Sequence, residues 1–226
     1  MPRKPRLILP GFPHHVVQRG NRRQPVFFRP EDYRLFRSLL RRACTETGVA
    51  CWAYCLMPNH VHLVLQPGDE TGLATLMRQT QLAYTTHINK REDWSGFLWQ
   101  GRYFSCPMDE AHALAALRYV ELNPVKAGLC PSAEDWPWSS SRHHLGLESD
   151  PMITTPGFVA RIPGWRRYLE SGVDPETEAR IGLYTRAGCP LGSDSWIAGL
   201  EANTGRKLRP KRRGRPQKRG QVELAR

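Results

Sequence analysis

The pattern of apolar and polar residues predicts four strands and three helices in the first 123 residues. Short runs rich in apolar, aromatic or β-branched residues, each bounded by Gly, Pro or Asn, predict strands over 13–19, 49–57, 60–66 and 99–106. Apolar residues three or four positions apart predict helices over 30–47, 71–90 and 110–122. Asn123-Pro124 is expected to end the last helix, because proline disfavours helical geometry in the residue before it. This order predicts an α+β fold of the ferredoxin-like βαββαβ type with one added C-terminal helix.

The rest of the chain divides into two parts. We expect a first domain over 1–145 and a helical extension over 146–205, which holds at least two short helices near 174–187 and 193–203. The tail over 206–226 is basic and punctuated by Pro and Gly, so it is predicted to be disordered.

Composition narrows the class of protein. The 226 residues are 40% apolar, which suffices for a core, and no apolar run reaches the ~18 residues of a membrane span. The apolar run near the N-terminus is too short for a secretory signal, which favours a cytoplasmic protein. The six cysteines form no Cys-x-x-Cys pair and are expected to be reduced thiols.

The positive charge lies at the two ends of the chain. The net charge is +12, and residues 1–42 and 206–219 each contribute +9, whereas residues 43–205 carry −6. One interpretation of this distribution is that both ends are simply solvated tails. The dominance of arginine favours a polyanion partner, because the guanidinium fork suits phosphate. Nucleic acid is preferred to a membrane surface, since no amphipathic basic helix accompanies either end.

Two histidines on the third predicted strand are candidate metal ligands. His60 and His62 are two positions apart, so both side chains project from one face of the strand. Two imidazoles at this spacing can bind one divalent metal, although two unrelated surface histidines would give the same pattern.

The last predicted helix carries a candidate nucleophile. Tyr119 and Asn123 are four residues apart and therefore lie on one face of the helix. A half-buried structural tyrosine and an asparagine at a helix end are the ordinary alternatives.

Taken together, these motifs identify a resemblance to a known family. Met57-Pro58-Asn59-His60-Val61-His62, combined with Tyr119-Val-Glu-Leu-Asn123-Pro124-Val-Lys-Ala-Gly128, resembles the single-tyrosine HUH transposases. The chain is most similar to the REP-associated tyrosine transposases of bacteria, over about residues 5–145. No second tyrosine follows Tyr119 on its helix face, and no third histidine follows the pair, which favours the single-tyrosine type.

The resemblance implies a role for each motif residue. Tyr119 would be the catalytic nucleophile, and His60, His62 and Asn123 would bind Mg²⁺ or Mn²⁺. The family forms a 5′-phosphotyrosine and leaves a 3′-hydroxyl, so it needs no nucleotide cofactor. Its substrate is single-stranded or hairpin DNA.

Candidate DNA contacts follow from this substrate. The expected phosphate and base contacts are the N-terminal residues Arg3, Lys4 and Arg6, the turn residues Arg19, Asn21, Arg22 and Arg23, and the strand residues Gln100, Arg102 and Tyr103. Ordinary solvated charges and core aromatics are the alternatives. In the tail, Arg213-Gly214-Arg215-Pro216 resembles an AT-hook core that enters a narrow minor groove, and non-specific attraction to phosphate is the simpler interpretation.

Two other functions fit the same fold. A domesticated, non-catalytic DNA-binding regulator is opposed by the intact set of Tyr119, His60, His62 and Asn123. A structured-RNA-binding domain would need exposed aromatic residues on central strands, where this chain has histidines.

Overall fold

A four-stranded antiparallel sheet lies at the centre of the computed structural model, which describes residues 5–210. The strands are β1 His14–Arg19, β2 Ala50–Met57, β3 His60–Gln66 and β4 Phe104–Pro107. They lie in the order β2-β3-β1-β4, and β1 pairs with β3 on one side and with β4 on the other. The predicted α+β class is confirmed.

Eight helices accompany the sheet within the described residues. They are α1 Pro30–Thr47, α2 Gly72–Glu92, α3 Glu110–Lys126, α4 Ser141–His144, α5 Gly157–Ala160, α6 Trp165–Glu170, α7 Pro175–Ala187 and α8 Asp194–Thr204. Both helices predicted in the extension are present, as α7 and α8.

Two predicted boundaries are wrong. The fourth strand begins at Phe104 instead of Trp99, because the chain turns at Gly101, whose φ of +58° suits glycine. Helix α3 continues through Pro124 to Lys126. The last turn tolerates the proline because the helical pattern resumes immediately, with Ala127 N donating to Asn123 O at 2.9 Å.

The sheet separates two hydrophobic cores. On one face, α1 and α2 cover side chains such as Val16, Leu63 and Leu65. On the other face, α3, α6 and α7 cover Val64 and Cys106. Because His62 alternates with Leu63 along β3, its side chain lies on the α3 face.

A buried carboxylate joins α3 to the extension. Glu121 is fully buried and accepts hydrogen bonds from Ser140 Oγ and His144 Nδ1, each at 2.6 Å, and from Trp165 Nε1 at 2.8 Å. These three donors satisfy the carboxylate and fix the rotation of α3 about its axis. Tyr119 lies two residues away, so the extension helps to orient the helix that carries it.

The first residues of the predicted tail contact α8. Leu208 is buried, and its N–H donates to Glu201 Oε1 at 2.7 Å, while Arg209 pairs with Asp194 at 2.7 Å. The disorder predicted for the remainder falls on residues 211–226, outside the described residues.

Two further sequence-based expectations can be compared with residues 5–210. No disulfide bond joins the six cysteines, all of which lie in this range. In the same range, no helix is both long and apolar enough to cross a membrane.

Candidate active site

The two histidines of β3 lie side by side on the α3 face of the sheet. Their ring centroids are 4.9 Å apart, with an interplanar angle of 71°. His62 is 4% exposed and His60 is half-buried, so they are not unrelated surface histidines. The spacing of two therefore brings both rings to one place, as predicted.

The Nδ1 atom of each histidine is hydrogen-bonded to another side chain. His60 Nδ1 lies 2.5 Å from Asn59 Oδ1, and His62 Nδ1 lies 3.0 Å from His15 Nε2. Asn59 Nδ2 donates to Arg23 O at 3.1 Å, which turns its Oδ1 towards His60. His60 therefore donates from Nδ1, and its Nε2 carries the lone pair.

Burial keeps the imidazoles neutral. It lowers the pKa of His60 to about 4, with a further contribution from the charge of Arg19. Burial is also the main reason that the pKa of His62 lies well below its ordinary value. The nearby His15, His60 and Arg19 lower it further. A histidine with a lowered pKa stays neutral at pH 7, which is the form that binds metals.

Tyr119 packs its ring edgewise against two histidines. Its centroid is 5.6 Å from that of His62 and 5.7 Å from that of His15, with interplanar angles of 82° and 89°. Burial raises the pKa of Tyr119, while a hydrogen bond with Asn123 and the charges of Arg186 and Arg19 act in the opposite direction. The phenol is therefore protonated at neutral pH, beside groups that favour its anion.

Asn123 lies on the same face of α3, one turn after Tyr119. Its Nδ2 donates to Tyr119 O at 2.7 Å, so the amide oxygen Oδ1 is left to accept. Among residues 5–210, no protein donor is paired with that oxygen.

The predicted metal ligands suit a divalent ion by their chemistry. Two neutral imidazoles without a protein partner at Nε2 within the described chain, together with an amide oxygen, form a mixed N,N,O donor set. Over residues 5–210 there is no group of three or more His, Cys, Asp or Glu side chains that could hold a metal ion. Any metal here would therefore take its further ligands from the amide oxygen of Asn123 or from water.

The predicted turn residues lie next to the histidine pair. Arg19 is opposite His60 in the β1–β3 register, and Asn21 N donates to Leu98 O at 2.8 Å. Arg22 and Arg23 are exposed and have φ angles of 50° and 62°, in the left-handed region that non-glycine residues seldom adopt. Such strain is typical of functional loops.

The other predicted DNA contacts fall into three groups. Gln100 and Arg102 are exposed. Tyr103 is 8% exposed, and the half-buried Arg6 covers its ring at 3.7 Å and donates to its carbonyl oxygen at 3.0 Å. Arg3, Lys4, Arg213 and Arg215 lie outside the described residues.

An exposed aromatic surface was missed from the sequence. It consists of Phe28, Trp94 and Phe97, which are 43%, 50% and 88% exposed. The ring centroids of Phe28 and Trp94 are 5.5 Å apart. The loop that carries Trp94 and Phe97 is joined to the turn at Asn21 by the hydrogen bond from Asn21 N to Leu98 O. The sequence did carry a signal for this surface, because Trp94 and Phe97 stand among the Asp, Ser and Gly of a loop sequence at 93–97.

Three more residues near the site were also missed. His15 is buried between His62 and Thr185, and Arg186 follows Thr185 on α7. The pair His14-His15 marks a strand but does not show which histidine faces the site. Nothing local in α7 connects it with β1.

Comparison with known proteins places this architecture in a family. Residues 11–123, half of the chain, match the family model described as IS200-like transposase. The chain belongs to the IS200-like transposase family. The matched segment contains His60, His62, Tyr119 and Asn123, and it ends before the extension.

Individual relatives agree with this family. A protein of Haemophilus influenzae (strain ATCC 51907 / DSM 11121 / KW20 / Rd) named as a REP-associated tyrosine transposase is 27% identical over 127 residues, covering 51% of this chain and 72% of that protein. A solved REP-associated tyrosine transposase bound to a REP hairpin has a TM-score of 0.52 and 18% identity, covering 69% of this chain and 92% of its own. That structure shares the fold of this IS200-like transposase.

A third protein is more distant. A chain from Deinococcus radiodurans R1 assigned as a transposase has a TM-score of 0.38 and 21% identity, covering 53% of this chain and 95% of its own. At this level of similarity it supports no structural comparison.

Proposed function

We propose that this IS200-like transposase is a nickase and strand-transferase for single-stranded or hairpin DNA. The observation that carries the proposal is the contact of Tyr119 with His62, the buried member of the histidine pair. A hairpin substrate is supported by the relative that is bound to a REP hairpin.

Tyr119 Oη is the proposed nucleophile. It attacks the scissile phosphorus in line, the bond from phosphorus to the 3′ oxygen breaks, and Tyr119 becomes linked to the 5′ phosphate. The phenol proton passes to solvent, and the leaving oxygen takes up a proton to become a 3′-hydroxyl. Attack of a 3′-hydroxyl on the phosphotyrosine reverses these changes, so rejoining needs no nucleotide cofactor.

His60, His62 and Asn123 are the residues that would hold Mg²⁺ or Mn²⁺, through two Nε2 atoms and one amide oxygen. When bound, the ion would neutralise and orient the scissile phosphate as a Lewis acid. Imidazole nitrogens prefer softer metals than Mg²⁺, so we expect Mn²⁺ to support activity at least as well in vitro.

Two arginines supply positive charge around Tyr119. The charge of Arg19 acts to lower the pKa of both His60 and Tyr119. The charge of Arg186, from the extension, acts to lower the pKa of Tyr119. We assign both to stabilising the phenolate and the phosphate, since preorganised charge is most effective where negative charge develops.

The turn at 20–24 and the aromatic surface form the proposed DNA path. Arg22 and Arg23 provide exposed cations beside His60, and the aromatic surface provides faces on which unpaired bases can stack. Unpaired nucleotides that flank the hairpin are the expected occupants, because bases inside a duplex are already stacked.

We also assign the fold to the ferredoxin-like class. The support is the chain order of β1, α1, β2, β3, α2 and β4, combined with the sheet order β2-β3-β1-β4.

The test is an SDS-resistant adduct formed with hairpin DNA and Mn²⁺. A hairpin oligonucleotide with unpaired flanks is labelled at its 3′ end in one sample and at its 5′ end in another. The proposal expects the 3′ label in the adduct and the 5′ label in a shorter free strand that ends in a 3′-hydroxyl. Hairpin binding without any adduct would instead favour the non-catalytic DNA-binding regulator.

Substituting the aromatic surface should weaken binding to unpaired flanks. Phe97→Ala and Trp94→Ala are each expected to cost about 1–3 kcal/mol of affinity for a flanked hairpin, the usual value of a base–aromatic contact. A hairpin without flanks should bind the variants and the wild type equally well. The measurement is fluorescence anisotropy with both DNAs.

Leu147→Ala is the matched control, because Leu147 is 49% exposed at a different place in the fold. It should change neither affinity. Equal losses for flanked and unflanked hairpins would contradict the stacking role.

Removing the segment after Pro210 should make DNA binding less sensitive to salt. Residues 211–226 hold seven Lys or Arg and one Glu, including Arg213 and Arg215, and none of the proposed active-site residues. Each phosphate that the shortened protein no longer neutralises should reduce the slope of log affinity against log salt by roughly 0.7–0.9. Cleavage at saturating protein should be unchanged, and an unchanged slope would show that this segment does not bind DNA.

A further inference from the structure

Helix α7 of the extension reaches the active site through a buried hydrogen-bonded chain. Thr185 Oγ1 lies 2.8 Å from His15 Nδ1, and His15 Nε2 lies 3.0 Å from His62 Nδ1. All three side chains are buried, and the two imidazole planes are nearly parallel, at 8°. This series of hydrogen bonds therefore links the extension, through His15 on β1, to the candidate metal ligand His62 on β3.

The direction of the hydrogen bonds decides which nitrogen of His62 is available. A neutral imidazole has one N–H donor and one acceptor nitrogen. If His15 donates from Nε2, His62 must accept at Nδ1 and carry its proton on Nε2, where a metal would bind. If His62 donates to His15, the Nε2 of His62 is a free lone pair. Only the second arrangement gives a metal ligand.

The Thr185 hydroxyl completes the second arrangement when its own proton is donated to another group. In the second arrangement His15 accepts at Nε2 and carries its proton on Nδ1, so it needs an acceptor beside Nδ1. The Thr185 hydroxyl oxygen is that acceptor, at 2.8 Å. Its own proton can be directed to Cys106, with which Thr185 shares a side-chain hydrogen bond.

We propose that Thr185 and His15 are positioning residues that hold His62 with its proton on Nδ1 and its Nε2 free for a divalent cation. The inference rests on the metal site put forward under Proposed function. It gives the extension a part in the active site, although Thr185 lies beyond the family match at 11–123.

The two conservative substitutions of Thr185 have opposite expected effects. Thr185→Val keeps the shape but leaves the Nδ1–H of His15 without an acceptor, so His15 should move its proton to Nε2 and donate to His62. Thr185→Ser keeps the hydroxyl and should behave like the wild type. A substitution of this kind in the outer shell of a metal site usually costs 10–100-fold in metal affinity.

The first measurement is Mn²⁺ affinity of the full chain without DNA, read from the EPR signal of free Mn²⁺. We expect Thr185→Val to weaken binding by about 10–100-fold and Thr185→Ser to change it by less than about threefold. Thr177→Val, on the same helix, is the matched control and should bind as the wild type does.

The second measurement is the tautomer of His62 in the metal-free protein, read from its ¹⁵N shifts by NMR. The wild type and Thr185→Ser should show the proton on Nδ1, and Thr185→Val should show it on Nε2. A wild-type His62 with its proton on Nε2 would overturn the proposal, whether or not any variant folds.

The outcomes also separate this inference from the metal assignment. If the wild type binds Mn²⁺ and Thr185→Val binds it equally well, the positioning role is wrong and the metal site stands. If the wild type binds no Mn²⁺, or if His60→Ala leaves binding unchanged, the metal assignment itself is wrong and this inference falls with it.

Discussion

Replacing Tyr119 with phenylalanine is expected to abolish both the covalent protein–DNA adduct and strand cleavage. Phenylalanine keeps the ring that packs against His15 and His62 and removes only the attacking oxygen. Affinity for hairpin DNA should therefore stay within about threefold of the wild type, since the ring and its packing are kept. The measurements are adduct formation on SDS gels and hairpin binding by anisotropy.

Tyr168→Phe is a matched control for this loss. Tyr168 also carries a half-buried phenol against α3, where its hydroxyl donates to Leu114 O at 3.1 Å, but it lies in the extension. The control should form the adduct at the wild-type level. Cleavage by Tyr119→Phe at an undiminished rate would show that another group is the nucleophile.

Local patterns were sufficient to predict most of the elements. The hairpin of β2 and β3 follows from two apolar runs separated by Pro58-Asn59, and α1 follows from Pro30 at its start and Gly48 at its end. The rule that misjudged the end of α3 is also local. A proline weakens the last turn of a helix but does not forbid it where the next residues resume the hydrogen-bond pattern.

The parts of the site that were predicted are those set by spacing within one element. His60 and His62 share a face because strand residues alternate, and Asn123 reaches Tyr119 because four residues make about one helical turn. Each pair could be placed without knowing the sheet order.

The parts that were missed depend on contacts between distant segments. His15 meets His62 only because β1 lies beside β3 in one register, and Thr185 meets His15 only because α7 covers β1 and β4. Tyr103 shows the same dependence, because Arg6, 97 residues away, covers its ring. Periodicity gives the face of a residue but not what covers that face.

The extension therefore contacts the candidate site in three places. Trp165 supplies one of the three hydrogen bonds that hold Glu121 and α3, Arg186 places charge near Tyr119, and Thr185 supports His15. The family match ends at residue 123, so Trp165, Thr185 and Arg186 all lie beyond it.

Removing either histidine of the pair is expected to eliminate metal-dependent cleavage. In His60→Ala or His62→Ala a divalent ion would lose one of its two nitrogen ligands, and the phosphate would lose its charge compensation, so cleavage at limiting Mn²⁺ should fall by at least ~100-fold. Asn123→Ala should have a smaller effect, because water can replace one amide oxygen. His87→Ala, an exposed histidine on α2, is the control and should cleave normally. The measurement is the initial cleavage rate of a labelled hairpin over a range of Mn²⁺ concentrations. Normal cleavage by both histidine variants at limiting Mn²⁺ would mean that the pair is structural, and the buried contact between His62 and Tyr119 would then serve only to orient the phenol.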